Sequence, residues 1–97
     1  MDNIIDFSVM DTPIKPSPSV IYKMNGNILT LVVLDDSNNF YKFDAYPVEI
    51  WLGIQDQLSP TDIYNKIIQR DKLPTDQFKK DFNNFINFLK TENLVIF

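Results

Sequence analysis

A tight-turn signal between two apolar runs constrains the fold of this chain more than any other feature. Residues 20–24 and 28–34 are rich in β-branched and aliphatic side chains, as strands are. Between them stands Asn25-Gly26-Asn27, and an Asn-Gly pair readily adopts the left-handed backbone conformations that a two-residue hairpin loop needs. The second run is too continuously apolar to be half-solvated. The pattern therefore predicts a β-hairpin whose second strand is central in a sheet.

A short third strand is predicted to follow at the edge of the sheet. Residues 35–39 all favour a loop, because their side chains can hydrogen-bond to nearby backbone groups. Residues 40–43, Phe-Tyr-Lys-Phe, then form a strand with three aromatic side chains. An open edge of this kind can bind an extended peptide as an added strand. The alternative is a short edge that binds nothing, and the sequence leaves both open.

Helical periodicity replaces the strand pattern from residue 44 onwards. Asp44 is predicted to cap a first helix that has Pro47 in its first turn. Ser59 and Pro60 are typical of the start of a second helix, and a third runs from about residue 74 to Asn93, a plausible left-handed stop. The sequence thus predicts an α+β domain, a three-stranded antiparallel β-meander followed by three helices, which is winged-helix-like.

The third helix carries an apolar stripe and one aromatic residue outside it. Phe88 lies off the stripe, on the side of Asp81 and Asn84, so either an end of the chain covers it or it lines a groove for a partner. We expect Trp51 of the first helix to join the core with the stripe. The stripe consists of Phe78, Phe82, Phe85 and Leu89, with Ile86 at its edge.

The proline-rich residues 1–18 are predicted to form an extended N-terminal arm, draped on a single domain of residues 19–97. The first residues are acidic, whereas an export signal begins with positive charge, so we expect a cytoplasmic protein.

Composition argues against catalysis. The chain has no cysteine and no histidine, which removes thiolate chemistry, the commonest general base and the commonest zinc ligand. The carboxylates are scattered and no glycine-rich phosphate loop is present, so we expect a non-catalytic protein without cofactor or metal. The net charge of −4 and the lack of a long apolar run argue against nucleic-acid and membrane partners.

A cluster of basic residues surrounds the second and third helices. In a winged-helix protein it could contact DNA phosphates, but it could equally be a solvated surface or attract an acidic peptide. The cluster consists of Lys66, Arg70, Lys72, Lys79 and Lys80.

The second half of the chain resembles the PqqD family and related precursor-peptide recognition elements. The resemblance lies in residues 43–44, 48–52 and 56–63, and in the third helix with its Asp81-Phe82, Phe85-Ile86 and Leu89, followed by Asn93-Leu94-Val95. Two departures stand out: Gln57 and Asn93 occupy positions where the family favours glycine.

This resemblance implies a PqqD-like module that captures the leader segment of a ribosomally synthesised precursor peptide and presents it to a modifying enzyme. The leader would add to the third strand, beside the third helix. From charge alone, we expect Lys79 or Lys80 to attract acidic residues of the leader. The resemblance implies eight of the predicted peptide-binding residues, and Lys79 is added for its charge. The full set is Phe40, Tyr41, Lys42, Phe43, Lys79, Asp81, Asn84, Phe85 and Phe88. The class of modifying enzyme stays open (radical SAM, cyclodehydratase or lasso-type), as does a homodimer. A DNA-binding winged helix and a structural docking subunit are the alternative functions.

Overall fold

The computed structural model describes residues 5–35 and 39–97. A short 3₁₀ helix, Phe7–Val9, precedes the regular elements. In chain order these are β1 (Lys15–Pro16), β2 (Val20–Asn25), β3 (Ile28–Val33), β4 (Phe40–Phe43), α1 (Tyr46–Gln55), α2 (Pro60–Asp71), α3 (Thr75–Thr91) and β5 (Val95–Ile96).

The predicted meander is confirmed. Strands β2, β3 and β4 form one antiparallel sheet in that order, so β3 is central and β4 is an edge strand. Asn25 ends β2 opposite Ile28, and Gly26 alone in the loop has a positive φ, of 61°. The fold is therefore α+β, with a three-stranded antiparallel sheet followed by three helices, as the sequence predicts.

The predicted N-cap residue is correct for α2 and wrong for α1. The Ser59 hydroxyl accepts a hydrogen bond of 3.2 Å from the backbone N–H of Asp62, so the predicted cap of α2 is confirmed. At α1 the cap position is held by Ala45, whose φ is +60°, and the prediction of Asp44 is wrong. The chain turns from β4 into α1 through Ala45, which leaves Asp44 one residue too early to cap the helix.

Two helices end in the same left-handed motif. After α1, the N–H groups of Gln57 and Leu58 donate to the carbonyls of Ile54 and Gly53. After α3, Asn93 and Leu94 donate to Lys90 and Leu89 in the same way. This is the Schellman pattern, which places one residue in the left-handed region. Gln57 (φ 65°) and Asn93 (φ 59°) are those residues, and they are the two departures from the family's glycines.

The core contains the residues that the sequence predicts, with one shift along α3. Trp51, Phe82 and Leu89 are each 0% exposed. On α3, however, Ile86 is fully buried and Phe85 is only half-buried, so the buried stripe is rotated towards Ile86 relative to the prediction. Asn83, on the same side of the helix as Ile86, is also buried and faces the N-terminal segment.

The described part of the N-terminal segment packs closely on the helices. Phe7 is 1% exposed, and its backbone N–H donates a 2.8 Å hydrogen bond to Asn83 Oδ1. Further along, β1 pairs antiparallel with β5. Residues 1–4 lie outside the described residues, and the division of the chain at residue 18 stays a prediction. Within the described ranges, no helix is long and apolar enough to cross a membrane.

Candidate functional site

The outer edge of β4 presents backbone groups that the sheet does not use. The N–H of Val33 donates to the carbonyl of Asn39 across 2.9 Å, which makes these two residues a hydrogen-bonded pair. Pairs alternate along an antiparallel ladder, so Tyr41 and Phe43 also direct their backbone groups towards β3. The backbone groups of Phe40 and Lys42 therefore point to the open side. Across residues 5–35 and 39–97, the only strand paired with β4 is β3.

An aromatic contact line, which we call the β4–α3 seam, joins this strand to the last long helix. The ring centroids of Tyr41 and Phe88 lie 5.5 Å apart, and those of Phe43 and Phe85 lie 5.2 Å apart. The Phe43 and Phe88 centroids are 6.0 Å apart, and all three pairs meet edge to face. Such pairs stabilise a contact beyond the area they bury. The seam holds the open edge of β4 next to α3.

Acidic groups stand at both ends of the seam. At one end the Tyr41 hydroxyl donates a 2.8 Å hydrogen bond to Glu92 Oε1, and this bond raises the pKa of Tyr41. At the other end the Asp81 carboxylate accepts a 3.1 Å hydrogen bond from Gln77 Nε2. Asp81 also borders a largely apolar cavity of about 160 Å³ beside Tyr46 and Phe85.

Most of the residues implied by the resemblance gather at this place. Tyr41, Phe43, Phe85 and Phe88 form the seam itself, so the rings packed on Phe88 belong to β4 and not to either end of the chain. Asp81 and Asn84 lie on the exposed side of α3.

Three of the implied side chains lie away from the seam. Phe40 is 61% exposed on the other face of the sheet, opposite Val32 in the strand register, and the side chain of Lys42 lies on that same face. Lys79 lies with its Nζ 3.8 Å from a carboxylate oxygen of Asp6, because it precedes Asn83 by one helical turn and shares its face. The structure does not bring Lys79 together with the other residues.

Two of the five residues of the basic cluster, Arg70 and Lys79, have acidic partners. Arg70 binds both carboxylate oxygens of Glu49, at 2.7 and 2.8 Å, and also binds Asp71 at 2.7 Å. Arg70 and the hydroxyl of Tyr46 both donate to Asp71, which lowers the pKa of Asp71 to about 2. The guanidinium therefore ties α1 to α2 at the surface.

Two residues with side-chain hydrogen bonds across the fold, Glu92 and Asn83, were not predicted from the sequence. Glu92 lies four residues after Phe88, so helical spacing alone could have placed it on the same face. Asn83 gave no such signal, because its role depends on Asp6 and Phe7, which lie more than seventy residues away in sequence.

Comparison with known proteins supports the fold. No family model and no curated protein matches the chain. A solved structure does match, that of TbiB1 in complex with the TbiA(beta) leader peptide, with a TM-score of 0.76 at 20% sequence identity. The match covers 84% of this chain and 93% of TbiB1. The chain thus has the fold of a protein solved with a leader peptide bound, as its resemblance to the PqqD-like recognition elements implied.

Proposed function

We propose that this chain is a non-catalytic peptide-binding module that captures the leader segment of a ribosomally synthesised precursor peptide. The observation that carries the proposal is the open edge of β4, held beside an aromatic helix face by the seam of Tyr41, Phe43, Phe85 and Phe88. TbiB1, whose fold the chain shares, was solved in complex with a leader peptide. That likeness supports a peptide as the ligand of this edge.

In the proposed complex the leader adds to the sheet as a fourth strand. Its main chain pairs with the outward backbone groups of Phe40 and Lys42, and this pairing sets the register. Alternate side chains of a strand point to opposite faces. One set of leader side chains therefore contacts Phe85, Phe88 and Asn84 on α3, while the other set lies on the face of the sheet that carries Phe40.

The module presents the bound leader to an enzyme that modifies the rest of the precursor. Radical SAM, cyclodehydratase and lasso-type enzymes are the candidate partners. We place the complex in the cytoplasm, where a ribosomal precursor is made. The chain itself contributes binding and no chemical step.

A proline substitution tests strand addition directly. Lys42→Pro removes the outward N–H of Lys42 and leaves the hydrogen bonds between β3 and β4 in place, because proline is tolerated on the open side of an edge strand. We expect the variant to keep its melting temperature within a few degrees. We expect its affinity for the leader encoded beside the gene to fall by about tenfold or more, since both a main-chain donor and the register are lost. Isothermal titration with that leader measures the change.

Lys42→Ala is the matched control, because it removes the side chain and keeps the backbone N–H. Its affinity should stay close to that of the wild type. Equal affinities for the proline variant and the wild type, with the fold intact, would rule out pairing at this edge.

A further inference from the structure

The charges around the seam carry information about the leader, provided that the seam is the leader-binding site proposed above. Strand β4 and the turn after it run antiparallel to α3. Tyr41 contacts Phe88 and Glu92, Phe43 contacts Phe85, and Tyr46 contacts Phe78, whose ring centroid lies 5.2 Å away. The two acidic ends of the seam therefore lie at opposite ends of one apolar track.

The hydrogen bonds that the described residues donate to the carboxylates at these ends come from neutral groups. Glu92 accepts a hydrogen bond from Tyr41, a neutral hydroxyl, and Asp81 accepts one from Gln77, a neutral amide. Neither contact neutralises a carboxylate. Asp35 adds to the negative potential near Tyr41, since its charge helps to raise the pKa of that hydroxyl.

The cations of α3 are mostly directed elsewhere. Lys79 lies beside Asp6, and the Nζ of Lys90 lies 5.2 Å above the ring of Phe97. Lys80 is exposed, and at the helical rotation of about 100° per residue it lies farther around α3 from Phe88 than Asn84 does, so it borders the track without lying in it. The side chain of Lys42 belongs to the outer face of the sheet, because it alternates with Tyr41 and Phe43.

We infer that the seam selects a leader with two basic residues, one for Asp81 and one for Glu92, on either side of an apolar residue. Asp81 lies on α3 and Glu92 is the C-cap residue of that helix. The two are eleven positions apart, which corresponds to a rise of about 16 Å along the helix axis. Four steps of an extended peptide cover about 13 Å, and flexible lysine or arginine side chains span the rest. An even spacing keeps both basic residues on the side that faces α3. The selected pattern is thus basic at position i, apolar at i+2 and basic at i+4.

Three synthetic nine-residue peptides with the same apolar residues test this inference. The first carries lysines at i and i+4, the second carries glutamates at those positions, and the third carries lysines at i and i+3. We expect the first to bind about tenfold more tightly than the second, because two exposed charge pairs change from repulsion to attraction. The third should bind less tightly than the first, because its lysines face opposite sides. The preference for the first peptide over the second should become smaller in 0.5 M salt, because salt screens exposed charges.

Variants of the protein identify the carboxylates that cause the preference. The double variant Asp81→Asn and Glu92→Gln should bind the lysine and glutamate peptides about equally, because both negative charges are gone. The seam should stay intact, since glutamine at position 92 still accepts the hydrogen bond from Tyr41. Asp11→Asn removes one exposed negative charge from the N-terminal segment, which packs on α2, and should keep most of the preference.

Backbone amide shifts of β4 in labelled protein separate the two proposals. Binding of all three peptides at β4 with equal affinity, or a preference for glutamate, would overturn the charge inference and leave the peptide-binding edge intact. No shift at β4 with any of the peptides at millimolar concentration would count against the edge itself, and with it the proposed function.

Discussion

Gln57 shows how a single residue is held in an unfavourable conformation by the motif around it. Its φ of 65° lies in the left-handed region, which costs an L-residue other than glycine roughly 1–2 kcal/mol. The Schellman hydrogen bonds from Gln57 to Ile54 and from Leu58 to Gly53 hold it there. The preference of the resembled family for glycine at this position thus has a backbone reason.

Glycine at this position should stabilise the protein. We expect Gln57→Gly to raise the free energy of unfolding by about 0.5–1 kcal/mol, since relief of the strained φ exceeds the entropy that glycine adds to the unfolded chain. Urea denaturation measures the difference. The same change two residues earlier, Gln55→Gly inside α1, should lower stability by about 0.5–1 kcal/mol. A loss of stability in both variants would show that Gln57 is not strained.

Residues whose role depends on near neighbours in sequence were predictable. Gly26 in the hairpin, Ser59 at its cap and Asn93 at its left-handed stop each act within a few residues, and the structure confirms all three. Ala45 was missed because alanine is an unusual choice for a positive φ, and that conformation comes from the turn between β4 and α1.

At the scale of elements, one amide side chain fastens the N-terminal segment to α3. Asn83 Oδ1 accepts from the Phe7 N–H, and Asn83 Nδ2 donates to an Asp6 oxygen at 3.1 Å. The same Asp6 oxygen accepts from the Ser8 hydroxyl at 2.6 Å, and this bond lowers the pKa of Asp6. The segment and α3 therefore share one connected set of hydrogen bonds.

Removal of that amide should destabilise the protein. Asn83→Ala leaves the buried N–H of Phe7 without its acceptor, so we expect a loss of about 1–3 kcal/mol in the free energy of unfolding. Asn87→Ala, one turn further along and exposed, should change it by less than about 0.5 kcal/mol. Thermal melts of the two variants, recorded in parallel, measure the difference in their stability. Similar melting temperatures would mean that water replaces the lost acceptor.

The elements themselves were largely predictable, whereas contacts between distant elements were not. Periodicity located three strands and three helices, because each period reflects local geometry. The pairing of β1 with β5 and the rotation of α3 towards Ile86 depend on segments far apart in sequence. The seam was predictable only in part. Its strand and helix were both foreseen, but the contact of Phe88 with Tyr41 required the register of the sheet.

At the scale of the whole molecule, charge argues against the alternative function as a DNA-binding winged helix. The net charge is −4, Arg70 is held by Glu49 and Asp71, and Lys79 lies beside Asp6. The thirteen acidic residues outnumber the nine basic ones, and phosphate contacts supply most of the affinity for DNA.

We therefore expect no sequence-selective binding of duplex DNA. Fluorescence anisotropy with a random-sequence duplex at low salt should show weak binding at most, and the signal should vanish at physiological salt. Selection from a randomised duplex library serves as the second readout. Recovery of one motif that binds at micromolar concentration or tighter would restore the alternative.

The docking of Phe7 on Asn83 also sets an order of events during synthesis. The chain grows from its N-terminus, so Phe7 leaves the ribosome well before its acceptor exists. Lys15 is likewise synthesised long before its strand partner Ile96, and Ser17 long before Leu94, whose carbonyl accepts the hydrogen bond from its N–H. The sheet and the first two helices can form from neighbouring segments, whereas the N-terminal segment must close the longest loop in the fold. The N-terminal segment is thus among the last parts of the described fold to reach its final position.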